Sequence, residues 1–372
     1  MALNTYNNPT YFLDIVNALW AFSIVFIVFY AYKVPKIYYF VILGHIGTVF
    51  LTNNFLFSPS YMPDQFRYID AAIHIRENLD FFHYSLYDKS ITVSTASLFF
   101  ALFPIPILNS VFSIALINSM VFAFLFIYLY KKKILIGNAI WFYLLYPSFA
   151  LYAAIGTRDT LILAIMVLSI YQLYKGKTLV SVLIATPLLL IKFQNFFIFI
   201  LSFFIYKIID KKKLISYNNF FKILLIVFLF LFFSQYIPIE GINALRYSMF
   251  IEDGGNPDFY IPLINYTDII IASFQGFINM LLKPFPWESH NALQLIQSFE
   301  NIIVFYVIFK LFISLKDIPI DFKYFLSIYF IVAMMVYGTV IFNFGTVARY
   351  KYTFVVVFII FSIKILAYKK RI

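Results

Sequence analysis

Apolar runs of about 17–25 residues recur along the whole chain, and each can cross a hydrocarbon core of about 30 Å as one helix. Inside a bilayer every backbone N–H and C=O needs a partner within the protein, and a helix supplies these partners from its own segment. Hydrophobic residues fill 63% of the 372 positions and charged residues only 12%, which leaves no soluble domain between the runs. The sequence therefore predicts an all-α polytopic integral membrane protein, with residues 1–372 in a single transmembrane domain.

The lysines lie in short tracts at the ends of apolar runs rather than in one basic patch. Cytoplasmic loops of membrane proteins are enriched in Lys and Arg, so these tracts are expected on the cytoplasmic side. This explains the formal net charge of +11 without a nucleic-acid partner. The tracts are Lys33/Lys36, Lys131 to Lys133, Lys175/Lys177, Lys211 to Lys213, Lys310/Lys316 and Lys369/Lys370.

Because all lysine tracts are assigned to the cytoplasmic side, the number of crossings between any two tracts has to be even. This assignment predicts about eleven transmembrane helices, with the N-terminus outside and the C-terminus inside. Two further apolar stretches, near 91–107 and 269–285, are expected to be re-entrant or interfacial helices on the outer face. A different count within 160–210 would also satisfy the lysines. The eleven crossings are expected near 11–32, 36–57, 110–130, 134–154, 160–174, 178–193, 195–210, 216–236, 294–314, 323–343 and 352–368.

The arginines are distributed in the opposite way to the lysines. A guanidinium presents a planar fork of donors that suits phosphate and carboxylate groups, and it stays charged when partly desolvated. Outer arginines therefore indicate recognition of an anion, although each of them alternatively snorkels or pairs with a nearby acid such as Asp159. In the predicted topology Arg371 lies inside, whereas the outer arginines are Arg67, Arg76, Arg158, Arg246 and Arg349.

The first of two long outer segments, 58–90, contains charged residues at helical spacing. Asp64, Arg67 and Asp70 recur at about one turn, which places them on one face of a helix. A carboxylate beside a membrane-exposed cavity can act as a general base or a metal ligand, and a neighbouring arginine can orient it. The alternative is an amphipathic interfacial helix with solvated charges.

The second outer segment, 237–290, reads as a lid or substrate-contact loop, or else as a solvated connector. Its last part carries Trp287, Glu288 and His290 after Pro284 and Pro286, which are expected to end a helix. Trp287 can stack on a sugar ring or serve as an interfacial anchor. The two outer segments together form the predicted active-site face.

Further polar residues occur at the predicted outer ends of crossings. Arg158, Lys192 and Arg349 are expected at a similar depth on one side, where they would suit the diphosphate of a lipid-linked substrate. Snorkelling is the alternative for Lys192 and Lys351. His45, within a crossing, is expected to be a hydrogen-bonded packing residue.

Several reaction classes lack their sequence motifs. The chain has no GxxxxGK[ST], HExxH or GxSxG pattern, so nucleotide hydrolysis, zinc proteolysis and serine-hydrolase chemistry have no support. The absence of cysteine excludes disulfides, thiolate metal sites and thiol nucleophiles.

An outer arginine at the start of a crossing, a cytoplasmic YKGK and a crossing that closes in IKFQN resemble the central region of bacterial O-antigen and polysaccharide polymerases of the Wzy type. The first outer loop with Asp64, together with the terminal ARYKYTF, is similar to the wider class of multi-spanning GT-C glycosyltransferases, in which an acidic residue of an early outer loop is commonly catalytic. The resemblance implies a GT-C-like fold in the bacterial inner membrane, with the active site facing the periplasm.

The implied reaction transfers a growing glycan from undecaprenyl diphosphate to a lipid-linked repeat unit. Asp64 is then the expected base, and Asp159 is either a second choice or the residue that orients Arg158. The expected diphosphate-binding residues are Arg158, Lys192, Arg349 and Arg246, and the expected sugar-binding residues are Arg67, Gln194, Trp287, Glu288 and His290. No metal or cofactor is expected. The implied partners are the undecaprenyl-diphosphate-linked oligosaccharide, membrane lipids and a chain-length regulator.

Two other functions remain open at this point. A GT-C glycosyltransferase with a polyprenyl-monophosphate sugar donor would use the same cavity, with a divalent metal at Asp64. A lipid-linked oligosaccharide flippase would need charged residues along a path through both leaflets, whereas this sequence places them on one side.

Overall fold

The computed structural model describes residues 11–53, 55–56, 62–209, 239–252, 257–316, 318–341 and 344–369, and every element of regular structure within these ranges is a helix. Among the helices of these described ranges, five are long and apolar enough to cross a membrane, which is consistent with a helical membrane protein. They are Phe12–Ala31, Val111–Lys131, Ala292–Leu315, Phe322–Val340 and Phe344–Tyr368. The predicted crossing at 216–236, the lysines at 211–213, Arg371 and parts of both outer segments lie outside the described residues.

The sequence predicts one transmembrane domain, and the chain groups into two compact units, residues 1–196 and 197–372. The helices of unit 1 are α1 (Tyr11–Ala31), α2 (Lys36–Thr52), α3 (Asp64–Glu77), α4 (Ile91–Leu102), α5 (Val111–Lys131), α6 (Asn138–Leu145), α7 (Pro147–Ala153), α8 (Asp159–Tyr174), α9 (Thr178–Ala185) and α10 (Leu188–Ile191).

Helix α5 is the central helix of unit 1. It packs against α1, α2, α7 and α8, and its apolar residues are buried around almost the whole circumference. A helix that is apolar on all sides is stable only when other helices or lipid cover it. His45 of α2 packs its ring 4.7 Å from that of Phe122 in α5 and holds Nε2 2.6 Å from the Leu144 carbonyl, which confirms its expected packing role.

Prolines interrupt two of the predicted crossings. The predicted helix 134–154 consists of two helices, α6 and α7. A proline disfavours helical backbone angles at the residue before it, and Tyr146, which precedes Pro147, adopts φ −68° and ψ 112°. The predicted crossing 178–193 is likewise divided into α9 and α10 at Pro187, which has no backbone N–H to donate. Each of these two predicted crossings therefore consists of two helices rather than one.

Helix α4 is short and is tied to α3. Its 12 residues span roughly 18 Å at 1.5 Å per residue, less than a bilayer core requires. The Arg76 guanidinium of α3 donates to the carbonyls of Ala101, Phe103 and Ile105 at 2.9, 2.6 and 2.9 Å. Ala101 lies in the last turn of α4, where carbonyls have no partner within the helix, and Phe103 and Ile105 directly follow this turn, so Arg76 caps the end of α4.

Unit 2 contains the remaining helices. Helix α11 (Phe193–Ile208) contains the boundary between the units. It is followed by α12 (Ile239–Glu252), α13 (Tyr266–Leu282), α14 (Ala292–Leu315), α15 (Phe322–Val340) and α16 (Phe344–Lys369). Helix α13 ends just before Lys283 and Pro284, as the prolines predict. Helix α16 packs against α13, α14 and α15.

Two glycines allow α13 and α15 to approach closely. A Cβ added to Gly276 would clash with the backbone of Gly338, and a Cβ added to Gly338 would clash with the backbone of Gly276. Next to this crossing, the hydroxyls of Ser273 and Thr339 are 2.8 Å apart. Small residues at a helix crossing are the usual means of close packing between membrane helices.

We expect Gly276→Ala to destabilise unit 2, because the added methyl group has to push two helix backbones apart. Overpacking of this kind costs about 1–3 kcal/mol. The matched control is Gly47→Ala, since a Cβ at Gly47 meets nothing within 4 Å. Thermal unfolding of the detergent-solubilised protein should show a lower midpoint for Gly276→Ala only; equal midpoints for the two variants would contradict the close crossing.

Candidate functional site

A non-helical segment, residues 154–158, joins α7 to α8 in the interior of unit 1. Residues 153–157 are buried, so their backbone groups have to be satisfied by protein. The Asn118 side chain of α5 donates to the carbonyls of Ile155 and Thr157 at 2.7 and 2.6 Å. Asn118 thus holds the middle of the segment.

Two other helices hold the same segment. Asn53, at the end of α2, donates from Nδ2 to the Ala154 carbonyl at 2.9 Å. Gln65 of α3 accepts from the Gly156 N–H at 2.9 Å. A Cβ added to Gly156 would lie 3.0 Å from the Val111 carbonyl oxygen and 3.1 Å from Gln65 Oε1. Glycine therefore allows the segment to lie directly against α5 and α3.

The segment places Arg158 at the N-terminus of α8. The Arg158 guanidinium lies 5.9 Å from the centre of the Tyr68 ring, a cation–π contact. Its Nη1 atom is buried and has no hydrogen-bond partner among the described residues. The N-terminus of the 16-residue helix adds a partial positive charge. The arrangement suits a bound anion.

Asp159 begins α8 with its side chain turned to the joining segment. One carboxylate oxygen accepts from Thr157 Oγ1 at 2.8 Å, and the residue is buried. The sequence predicts Asp159 either as a second choice of base or as the residue that orients Arg158, and its hydrogen bond with Thr157 helps to fix the segment that carries Arg158.

The predicted helix at Asp64, Arg67 and Asp70 is present as α3, and one side of this helix is turned toward the Arg158 segment. Gln65 and Tyr68 are buried and reach the Arg158 segment. Asp64 is 45% exposed in its side chain and precedes Tyr68 by four residues, so the two lie on one side of the helix. Helix α3 therefore carries Asp64 to the end of unit 1 at which Arg158 lies.

Arg67 forms an ion-pair cluster at the surface of α3. It donates to the two carboxylate oxygens of Asp88 at 3.1 and 2.6 Å, and its Nη1 lies 4.0 Å from Asp64 Oδ1. Burial raises the pKa of Asp88, but the hydrogen bonds from Arg67 and from the Ser90 N–H lower it more, so the net pKa lies below its ordinary value. The expected sugar-binding Arg67 is thus held in place beside Asp64.

Lys192 and Gln194 follow the α9–α10 pair. Helix α9 packs against α8, and α10 contacts α8 and α4, so the chain returns toward the end at which α8 began. Lys192 is buried and Gln194 is exposed. Within unit 1, Asp64, Arg67, Arg158, Asp159 and Lys192 therefore belong to one end of the helix bundle.

Arg246 lines a cavity within unit 2. This cavity has a volume of about 530 Å³, and its walls include Tyr260, Ile264 and Gln275. Arg246 is 8% exposed and donates from Nη1 to the Thr339 carbonyl. Arg349 lies near the start of α16 with its guanidinium 5.8 Å from the Tyr350 ring centre.

A buried polar network connects α14 and α16 to the loop that follows α13. Lys351 is 1% exposed, which excludes snorkelling, and its Nζ donates to Asn301 Oδ1 at 2.5 Å. Asn301 donates in turn to the Lys283 carbonyl at 2.7 Å. Lys283 Nζ pairs with Glu288 at 3.0 Å. The loop that follows α13 is thus fixed to α14 and α16.

The same loop carries the expected sugar-binding residues. Trp287 is 79% exposed and stacks on Phe285, with ring centres 4.9 Å apart and planes 5° from parallel. Burial raises the pKa of Glu288, but the Phe285 N–H and Lys283 lower it more, so the net pKa is below its ordinary value. His290 is exposed, and its backbone N–H donates to Gln294.

The structure thus groups the expected residues by unit. Unit 1 contains Asp64, Arg67, Arg158, Asp159, Lys192 and Gln194, and unit 2 contains Arg246, Trp287, Glu288, His290 and Arg349. A diphosphate pocket built from Arg158, Lys192 and Arg349 draws on both units and stays a prediction. Within the described ranges no cluster of three or more His, Asp or Glu side chains could hold a metal ion.

The buried partners of these residues were not predicted from the sequence. Asn118, Gln65 and Tyr68 support Arg158, and Asn301 supports the loop that follows α13. An available signal was the presence of Asn118 and of the Glu300/Asn301 pair within apolar runs, because intramembrane polar residues are costly and mark functional or structural contacts.

We expect Asn118→Leu to destabilise unit 1, because the Thr157 carbonyl then loses its side-chain donor in a buried setting. An unsatisfied buried group costs about 1–3 kcal/mol. Ser119→Ala serves as the comparison. It removes one longer hydrogen bond, of 3.3 Å to the Ala153 carbonyl, and should lower the free energy of unfolding by less. Thermal unfolding in detergent tests the order, and a larger loss for Ser119→Ala would contradict the assigned role.

Comparison of the chain with protein-family models, curated protein sequences and solved structures finds no match.

Proposed function

We propose that this chain is a glycosyltransferase that polymerises O-antigen or another surface polysaccharide. It would lie in the bacterial inner membrane with about eleven crossings and a GT-C-like arrangement, and act on the periplasmic face. The observation that carries the proposal is the Arg158 guanidinium at the N-terminus of α8. Its Nη1 atom is buried and donates no hydrogen bond to any described residue. Such a group suits the charge of a lipid diphosphate.

The leaving group explains why fixed cations are needed. An acceptor hydroxyl attacks the anomeric carbon of the donor glycan, and the bond from this carbon to the diphosphate oxygen breaks. The electron pair leaves with undecaprenyl diphosphate, so negative charge increases at the oxygen that departs. Arg158 would stabilise this charge, together with Lys192 and, from unit 2, Arg349 and Arg246.

Asp64 is the proposed general base. Its side chain is about half exposed and lies on the side of α3 that leads to Tyr68 and Arg158, whereas Asp159 is buried and bonded to Thr157. An accessible carboxylate can accept the proton of the acceptor hydroxyl. Arg67 holds Asp64 on one side while its other donors engage Asp88.

The exposed Trp287 and Phe285 pair is the proposed sugar contact. An aromatic face can cover the apolar face of a sugar ring, and Glu288 beside it can accept from hydroxyl groups. Gln194 and His290 are both exposed and are assigned to the same task.

We expect Arg158→Ala to abolish polymer formation, because removal of a fixed charge at a developing anion costs on the order of 10²–10³ in rate. Arg158→Lys keeps the charge without the planar fork and should retain part of the activity. The measurement is the lipopolysaccharide ladder of cells that lack the gene and are complemented with each variant. The matched control is Lys89→Ala, which removes an exposed cation from the same outer segment.

The ladder also distinguishes the rival functions. The null strain should show core plus a single repeat, and Arg158→Ala at normal membrane levels should keep that pattern. A null strain that lacks even the single repeat would contradict polymerisation, since the chain would then act in building or flipping the unit. Inhibition by a chelator would favour transfer from a monophosphate donor with a metal at Asp64.

We expect Asp64→Asn to lower the rate of polymerisation by about 10²–10⁴-fold, because the amide cannot accept the hydroxyl proton. The matched control is Asp70→Asn, on the same helix, which removes an equally exposed carboxylate paired with His74 at 3.8 Å. Polymer formed by isolated membranes from lipid-linked repeat units is the readout. Equal activities of the two variants would remove Asp64 from the mechanism.

A further inference from the structure

A second cavity lies in unit 2, where α14 ends and α15 begins. It has a volume of about 470 Å³, within the range of small-ligand sites. Its wall combines apolar and cationic groups. The main lining residues are Phe312, Ile313, Lys316, Lys323, Tyr324 and Ser327.

Two lysines give this cavity its charge. Lys323 is buried, and its Nζ donates to the carbonyls of Leu315 and Lys316 at 3.0 and 2.7 Å. This ammonium is therefore fixed at the cavity wall by the end of α14. Lys316 lies beside it and is exposed. Asp321, exposed at the start of α15, is not among the residues that line the cavity.

The cavity lies at the boundary of two candidate membrane spans. Phe312 and Ile313 belong to the last turn of the span Ala292–Leu315, and Lys323 and Ser327 belong to the first turns of the span Phe322–Val340. Ile313 is 57% exposed, so the cavity opens beside apolar surface that hydrocarbon would cover. At such a boundary the charged groups meet lipid headgroups, and the apolar wall meets acyl chains.

We propose that this cavity binds the headgroup of an anionic phospholipid. Its phosphodiester would lie between Lys316 and Lys323, and one acyl chain would follow Phe312 and Ile313 along α14. Charge complementarity selects an anionic lipid over a zwitterionic one, because the choline or ethanolamine cation of the latter would meet two ammonium groups. The topology predicted from the sequence places Lys316 on the cytoplasmic side, where polybasic segments meet anionic lipids.

The test uses the purified full chain in detergent, with bound lipid counted by native mass spectrometry during titration with dioleoyl phosphatidylglycerol or dioleoyl phosphatidylcholine. The wild-type chain should bind one phosphatidylglycerol more tightly than phosphatidylcholine. Lys316→Ala should weaken binding of phosphatidylglycerol about fivefold and leave that of phosphatidylcholine unchanged. Lys316 is exposed, so this change leaves the Lys323 contacts in place.

The matched control is Lys310→Ala, which removes an exposed ammonium from α14 that lies 4.6 Å from the Tyr306 ring centre and does not line the cavity. It should leave the affinity for phosphatidylglycerol unchanged. Ser327→Leu fills the cavity without a change of charge and should lower the same affinity. This second variant tests the cavity itself rather than the net charge of the surface.

Three results would overturn the proposal. Equal affinities for the two lipids would remove selection by charge, and equal losses in Lys310→Ala and Lys316→Ala would indicate a general surface effect. Inorganic phosphate at millimolar concentration should not displace the bound lipid or raise the thermal midpoint. If phosphate alone raises the midpoint as phosphatidylglycerol does, and Lys316→Ala removes the effect, the site binds free phosphate and not a lipid.

Discussion

The hydrogen bonds from Asn118 to the carbonyls of Ile155 and Thr157 are the constraint on which the Arg158 end of unit 1 depends. A helix break inside an apolar bundle exposes backbone groups that neither lipid nor apolar side chains can satisfy. Asn118 of α5 supplies donors to the segment. Asn53, at the end of α2, donates to the Ala154 carbonyl, and Gln65 of α3 accepts from the Gly156 N–H. Three helices must therefore be in register before the segment is satisfied, so the geometry around Arg158 is a consequence of the packing of the whole unit.

The three arginines of unit 1, which the sequence predicts as one group on the outer side, serve different physical purposes. Arg76 uses its guanidinium to cap α4, and Arg67 uses two donors on Asp88. Arg158 instead faces an aromatic ring and keeps a buried donor without a partner among the described residues. Because a buried unsatisfied donor is costly, its retention favours a role in ligand binding over one in packing.

Local signals in the sequence were sufficient for some elements and not for others. The spacing of Asp64, Arg67 and Asp70 predicted α3, and Pro284 predicted the end of α13. The break at Tyr146 was missed because hydropathy does not register a proline within an apolar run. The contacts that hold the Arg158 segment were missed for another reason. Gln65 and Gly156, which share a hydrogen bond, are 91 positions apart in the sequence, and local sequence patterns carry no information about such distant contacts.

Both units use a buried side-chain amide to fix a segment that carries functional candidates. Asn118 fixes the segment before Arg158, and Asn301, held by Lys351, fixes the loop with Trp287. Binding costs free energy whenever a loop has to be ordered at the same time, and a segment that is already held avoids this cost. In the proposed reaction, each of these two segments would contact substrate without first having to be ordered, and more of the binding free energy would remain for the transition state.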